Sequence, residues 1–220
     1  MKIDILTLFP ESFSYLNSSI LKRAQESEIL EINIIDVREF SKDKHKKCDD
    51  YPFGGGAGML MTAQPIFDAI KSVQKENSHI VFASPSGQTL SVESAKILSQ
   101  KEHLIFICGH YEGIDQRIID IFKPQEISIG DYVLTGGELP TMVIIDCLSR
   151  FIDGVITKES LDEESFSCDG LEYPQYTRPQ TFEGLAVPDV LTSGNHQEIA
   201  KWRKQKSLEK TKAVRPDLIK

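Results

Sequence analysis

Residues Ser128–Pro140 read SIGDYVLTGGELP. The stretch holds three glycines (Gly130, Gly136, Gly137) and two acids (Asp131, Glu138), with no Lys or Arg. It is preceded by a short β-like segment, Gln125–Ile129, and followed by a strongly apolar helical run, Glu138–Phe151. A strand, a glycine turn and a helix in that order are half of a βαβ unit, and the same grammar repeats upstream. Lys2–Leu8, Leu30–Val37, His79–Ser84 and His103–Cys108 are short, β-rich apolar runs. Between them, Ser18–Ser27, Ala63–Glu76, Ser91–Lys101 and Asp115–Phe122 carry helical patterns, and Phe9-Pro10-Glu11 looks like a helix start with Pro in the first turn. Strands alternating with helices predict an α/β domain with a parallel sheet.

That regime ends near Phe151. Residues 152–195 are rich in acids, prolines and glycines without clear periodicity, and Ser193-Gly194-Asn195-His196 then opens a basic helix through Ser207. The expected organisation is an α/β domain over 1–155, a flexible linker over 156–175, and a small C-terminal helical domain over 176–220. Ser41–Leu60 is read as a loop ending in FGGGAGML. Ser91-Val92-Glu93-Ser94 resembles a capping box, with its acid one position early.

Net charge is −8, yet Lys201–Lys220 carries eight basic residues against two acidic ones. Such asymmetry fits a basic tail that meets a polyanion, or simply a solvated Lys-rich surface; the cluster SKDKHKK at Ser41–Lys47 has the same two readings. The four cysteines, Cys48, Cys108, Cys147 and Cys168, form no CxxC pair and no zinc spacing, and Cys108 and Cys147 lie in apolar runs as small core residues. The N-terminus lacks a signal-peptide pattern and no apolar run approaches a membrane span, so a cytoplasmic location without a membrane partner is expected.

In parallel α/β sheets ligands bind at the carboxyl ends of strands. Three glycine-bearing loops leave such ends here: Pro85-Ser86-Gly87, Gly109–Asp115 (GHYEGID) and Gly130–Gly137. None is a P-loop and none is GxGxxG. A phosphate calls for positive charge, whereas these loops offer Glu112, Asp115, Asp131 and Glu138. The acids suit a neutral or cationic ligand with amide-like edges, such as an adenosine that carries a sulfonium. The competing reading is that the glycines only make tight turns.

The motifs FPESF, DDYPFGGGAGMLM, ASPSG, CGHYEGIDQR, SIGDYVLTGGELP, SRFIDGV, YTRPQTFEG and SGNHQEIAKWR, in this order over nearly the whole chain, resemble the bacterial tRNA (guanine(37)-N1)-methyltransferase family, TrmD, of the SPOUT superfamily. The resemblance implies a sheet with a deep trefoil knot, a homodimer, a tRNA substrate methylated at N1 of guanosine 37, S-adenosylmethionine held bent in the knot, and Mg²⁺ dependence without a dedicated metal site. It places the cofactor among Ser84, Pro85, Gly109, Tyr111, Glu112, Ile129, Gly130, Asp131, Tyr132, Val133, Leu134, Gly136 and Gly137. Asp131 could instead cap a helix or pair with a local Arg.

Guanine N1 is protonated at neutral pH, so methylation needs a general base, and a cation near O6 eases charge developing on the ring. By resemblance Arg150 supplies the cation. The family's base is an Asp directly before SF; here Glu164 stands there, with Asp162 as a second candidate. The extra methylene of Glu164 and a linker that is one residue shorter compensate one another in this reading. The alternative is a tRNA-binding protein of the same fold whose catalysis is weak or lost. A generic nucleotide-binding module of flavodoxin type would explain the alternation but not the basic tail. RNA contacts implied by the resemblance are Asp50, Gly55, Ser165, Arg178, His196 and Arg203. His110, where some relatives carry Arg, is read as a hydrogen-bonded loop residue.

Overall fold

The computed structural model describes residues 1–157, 164–166 and 170–219. The chain divides into two compact units, Met1–Ile156 and Thr157–Lys220. The first is built on five parallel strands: β1 (Lys2–Thr7), β2 (Glu31–Asp36), β5 (Ser78–Thr89), β6 (His103–Cys108) and β7 (Gln125–Ser128), in the order β2-β1-β6-β5-β7. Four of the five match the runs read from sequence to within one residue at each end, and β5 continues beyond its run. Between β2 and β5 lie β3 (Asp49–Asp50) and β4 (Leu60–Met61), an antiparallel pair that closes the base of the glycine loop around Gly55. Two residues per strand are too few to register as a periodic pattern, which is why that segment reads as loop.

Alternation along the strands sorts side chains onto two faces. Ile3, Ile5, Val81, Ala83, Leu104 and Phe106 pack with residues of α1 (Ser19–Glu26), α3 (Val92–Ser99) and α5 (Glu138–Ser149). Leu6, Ile80, Phe82, Ile105 and Ile107 face the other way, onto Ile66, Ala69 and Ile70 of α2 (Ala63–Val73) and Ile118 of α4 (Gln116–Phe122). The residues of β6 are all buried, as a central strand covered on both faces requires.

Several boundaries depart from the sequence reading for local reasons. Pro10–Asn17 is a 3₁₀ helix, not an α-helix. Strand β5 does not stop at Ser84: its register against β7 jumps from Ala83↔Ile127 to Gln88↔Ile127, so Pro85-Ser86-Gly87 is a bulge and pairing resumes beyond it. The capping box of α3 is closed by Ser94, whose hydroxyl accepts from the Ser91 N–H while the Ser91 hydroxyl accepts from the Ser94 N–H; Glu93 is not the capping residue. In the second unit a two-residue hairpin, β8 (Thr181–Phe182) with β9 (Leu185–Ala186), and a short helix, Asp189–Thr192, occupy ground read as irregular. The C-terminal helix runs His196–Val214, past Ser207, with the Asn195 side chain accepting from the Gln197 and Glu198 N–H groups. Among the described residues no helix is long and apolar enough to cross a membrane.

Candidate active site

Three strand ends converge on one crevice. The segment that leaves edge strand β7 returns past the end of β5 to central strand β6, where the Gly137 N–H donates to the Gly109 carbonyl at 2.7 Å and His110 forms a bridge with Gly136. Gly137 is required by this crossing: a Cβ there would lie 2.7 Å from Gly109 N and 2.9 Å from Cys108 Cα. The crossing encloses a cavity of about 190 Å³. Its wall comprises Ser84 and Pro85 from the β5 bulge, Gly109, Tyr111 and Glu112 after β6, and Ile129, Gly130, Tyr132, Val133, Leu134, Gly136 and Gly137 after β7. Of the residues assigned to the cofactor from sequence, Asp131 alone is not brought into this wall. It is exposed, and among the described residues it neither caps a helix nor pairs with an Arg.

The wall also includes Phe82, His110, Ile127, Ser128, Thr135 and Pro140, which the sequence reading did not assign to a ligand. Phe82 and Ile127 lie within the apolar β-rich runs, and nothing in the sequence separates them from core residues. His110, read from sequence as a hydrogen-bonded loop residue, does sit on a loop, but among the described residues its buried Nδ1 has no hydrogen-bond partner. Its ring lies 4.7 Å from that of Phe9 and 4.9 Å from that of Tyr111, centroid to centroid.

The chemistry of the wall fits an adenosine-bearing ligand. Phe82, Ile127, Ile129, Val133, Leu134 and Pro140 supply apolar surface. The backbone N–H groups of Val133, Leu134 and Gly136 donate to no acceptor among the described residues and so are left for a ligand's hydrogen-bonding edge. Among the described residues no Lys or Arg lines the cavity, and Glu112 does. A purine's acceptor edge suits these N–H groups, a cation suits the Glu112 carboxylate, and a phosphate would lack a cationic side chain to pair with. The Cys108 thiol, buried at the end of β6 and 3.3 Å from the Thr141 hydroxyl, is pushed far up by desolvation and is no nucleophile.

Arg150 is not in the crevice of this chain. It caps the C-terminus of α5 and lines a separate small cavity of about 90 Å³ with Tyr15, Ser18, Ser19, Asp146 and Ser149. There the Tyr15 hydroxyl donates to Asp146 at 2.6 Å, a bond that pushes the phenol up. Asp50 and Gly55 are exposed around the β3–β4 pair, where Asp50 accepts from the Tyr51 N–H.

In the second unit, Glu164, His196 and Arg203 line one groove of about 530 Å³ together with Tyr173 and Lys204. The Arg203 guanidinium stands over the Tyr173 ring, 4.9 Å from its centroid. Ser165 sits beside Glu164, and its hydroxyl accepts from the Glu172 N–H at 3.0 Å. Arg178 is exposed and lies outside that groove. Asp162, the second candidate base, falls outside the described residues. Among the described residues no three His, Cys, Asp or Glu side chains gather as a metal site.

A parallel α/β domain whose crevice opens at the carboxyl ends of its strands, walled by backbone and apolar side chains, belongs to the class that binds a nucleoside-bearing ligand at strand ends. The family model described as tRNA (Guanine-1)-methyltransferase TrmD matches residues 1–220. A tRNA (guanine-N(1)-)-methyltransferase of Clostridium botulinum strain 657 is 57% identical over 222 residues, spanning 100% of this chain and 92% of the relative. Proteins of the same name from Ruminiclostridium cellulolyticum and Alkaliphilus metalliredigens are 55% and 56% identical, again over 100% of this chain and over 96% and 92% of their own lengths. The chain belongs to the TrmD family of tRNA (guanine-1)-methyltransferases.

Proposed function

We propose that the protein methylates N1 of guanosine 37 in tRNA, working in the cytoplasm with S-adenosylmethionine as the methyl donor. The observation that carries this is the crevice at the ends of β5, β6 and β7, with its unpaired amides and its lack of cationic side chains. In this reading the pass from Gly130 to Gly137 closes a deep trefoil knot. When bound, S-adenosylmethionine supplies an electrophilic methyl on a sulfonium. The chain's own residues do the rest. Backbone amides of Val133, Leu134 and Gly136 orient the adenosine, and the Glu112 carboxylate favours the positive end.

Glu164 takes the proton from guanine N1, and Arg150 stabilises charge developing at O6. Residues 156–175 link the cofactor domain to a C-terminal domain in which Arg178, His196 and Arg203 meet tRNA, while Asp50 and Gly55 read the preceding nucleotide. The target base leaves its stack to react. A magnesium ion, where one is needed, would be held in part by the substrate and would supply positive charge there. Arg150 and the crevice of one chain lie apart, so a second chain completes each site. Leu139 and Val143, one turn apart on the outer face of α5 and both about half exposed, form an apolar stripe suited to that dimer. The clostridial relatives support the enzyme over a binding protein that has lost catalysis.

The test is transfer of labelled methyl from S-adenosylmethionine to a leucine-type tRNA transcript with guanosines at positions 36 and 37, against a transcript with adenosine at 37. Labelling that depends on guanosine 37 is expected. Bound tRNA and cofactor without labelling would refute the proposal.

A further inference from the structure

A second set of polar groups meets at the back of the crevice and has no part in the methyl transfer as proposed. Glu138, in the first turn of α5, is 8% exposed. One of its carboxylate oxygens accepts from the Thr7 hydroxyl at 2.9 Å, and that hydroxyl accepts in turn from the Phe9 N–H. The other oxygen stands 4.0 Å from His110 Nδ1, which is buried and, among the described residues, has no hydrogen-bond partner. That gap is too long for a hydrogen bond. Gly136 occupies the seam: a Cβ there would collide with the Glu138 carboxylate and lie 2.8 Å from His110 Nδ1. The ring is held on its other sides by Phe9 and Tyr111. The charged and titratable groups around it are Glu138 on α5, Tyr111 and Glu112 on its own loop, and Arg38, which stands over the Phe9 ring at 5.8 Å.

We infer that His110 and Glu138 are positioning residues for the crevice: a protonated His110 closes onto the Glu138 carboxylate across Gly136, ties the Gly109–Gly113 loop to the start of α5, and strengthens binding of an adenine nucleoside. This rests on the reading that the crevice takes adenosine. The physical ground is the geometry of the gap. A movement of about 1 Å brings Nδ1 within hydrogen-bond range. A neutral ring with its hydrogen on Nδ1 gains one ordinary bond, whereas the imidazolium gains a charge-assisted bond roughly twice as strong. Because His110 and Gly136 both line the cavity, fixing them preorganises the wall, and a ligand then spends less binding energy on ordering it.

The experiment measures the dissociation constant of 5′-methylthioadenosine by calorimetry at about pH 5.5 and about pH 8.5, the interval in which imidazoles gain a proton. This probe carries no charge and no group that titrates there, so direct repulsion from the imidazolium plays no part. Wild-type protein is expected to bind about five- to tenfold more tightly at the lower pH. His110→Gln and Glu138→Gln, each near-isosteric and each keeping a polar group in the seam, are expected to bind with no such pH dependence. A wild-type affinity that does not change with pH, or a slope that survives in His110→Gln, overturns the inference. If wild-type protein binds neither methylthioadenosine nor S-adenosylmethionine at either pH, the adenosine reading fails and the latch fails with it. Should Glu138→Gln not fold, the wild-type and His110→Gln slopes decide alone.

Discussion

Replacing Gly137 by Ala adds one methyl at the point where the segment after β7 crosses the end of β6. The backbone angle there is ordinary, with φ −82°, so the substitution adds no conformational strain and acts through contact alone. The new Cβ would lie 2.7 Å from Gly109 N, 2.9 Å from Cys108 Cα and 3.1 Å from the Cys108 carbonyl carbon. All three are backbone atoms at the end of the central strand, which is paired to β1 on one side and β5 on the other and cannot yield. The crossing segment and the first turn of α5 must therefore move, by about 0.7 Å to reach ordinary carbon contact. The Gly137 N–Gly109 O bond, now 2.7 Å, then stretches to about 3.4 Å, past the usual N–H···O range. Its loss costs about 1 kcal/mol, and overpacking adds about 1–3 kcal/mol. The same displacement carries Gly136 and Leu134 away from the cavity, and misplacements of about 1 Å at a reaction site cost on the order of a hundredfold in rate. Urea unfolding should show about 2–4 kcal/mol of lost stability, and calorimetric titration with S-adenosylmethionine at least about tenfold weaker binding, equivalent to about 1.4 kcal/mol. A variant with unchanged unfolding midpoint and unchanged affinity would refute the close approach as the reason for glycine.

Three further outcomes are expected. Glu164→Asp shortens the proposed base by a methylene and should lower kcat about a hundredfold with little change in tRNA affinity; a large gain in single-turnover rate would sink the idea that a longer side chain offsets a shorter linker. Asp115 caps α4 through the Arg117 N–H and pairs with the Arg117 guanidinium, which holds its carboxyl below the usual range. Its contribution is therefore fully present above the ordinary aspartate range, about pH 4, and is lost as pH falls through the lower folded value. Asp115→Ala should cost about 1 kcal/mol near neutral pH, with the difference from wild type shrinking in acid unfolding curves; a constant difference down to about pH 2 would contradict the linkage. At the opposite end of the sheet, Asp4 accepts from Asn33 at 2.9 Å and lies 2.8 Å from His103, which in turn meets the Ser78 hydroxyl at 2.7 Å. Asp4→Ala takes the Nε2 partner from the buried His103 ring and one of two acceptors from the Asn33 amide, which keeps Glu31, and should cost about 3 kcal/mol in thermal or urea unfolding without altering cofactor affinity; a loss under about 1 kcal/mol would mean the network is not stabilising.

All five strands of the main sheet and the helices between them could be read from the chain, because a period of two and a period of 3.6 are properties of adjacent residues. His103–Cys108 is uninterrupted apolar sequence because its strand is covered on both faces. The glycines and acids of Ser128–Pro140 announced a tight turn without cationic side chains, and the motif order carried the family resemblance. Those signals are local, and they end where distant loops meet. A missing Cβ at Gly137 says that something comes close, but only the packed chain says that it is the backbone of Cys108 and Gly109. The order β2-β1-β6-β5-β7 brings the ends of β5, β6 and β7 side by side; a different order would scatter the same residues. Asp131, alike in type to the acids around it, falls outside the wall because its neighbours Gly130 and Tyr132 turn inward to line it. His110 and Glu138, 28 positions apart, have no pattern between them; burial against Thr7 and the crossing at Gly136 bring them to 4.0 Å. Local chemistry determined the elements and the composition of the loops, and tertiary packing alone decided which loop groups face one another across the crevice, because that is set by the balance of burial over the whole sheet.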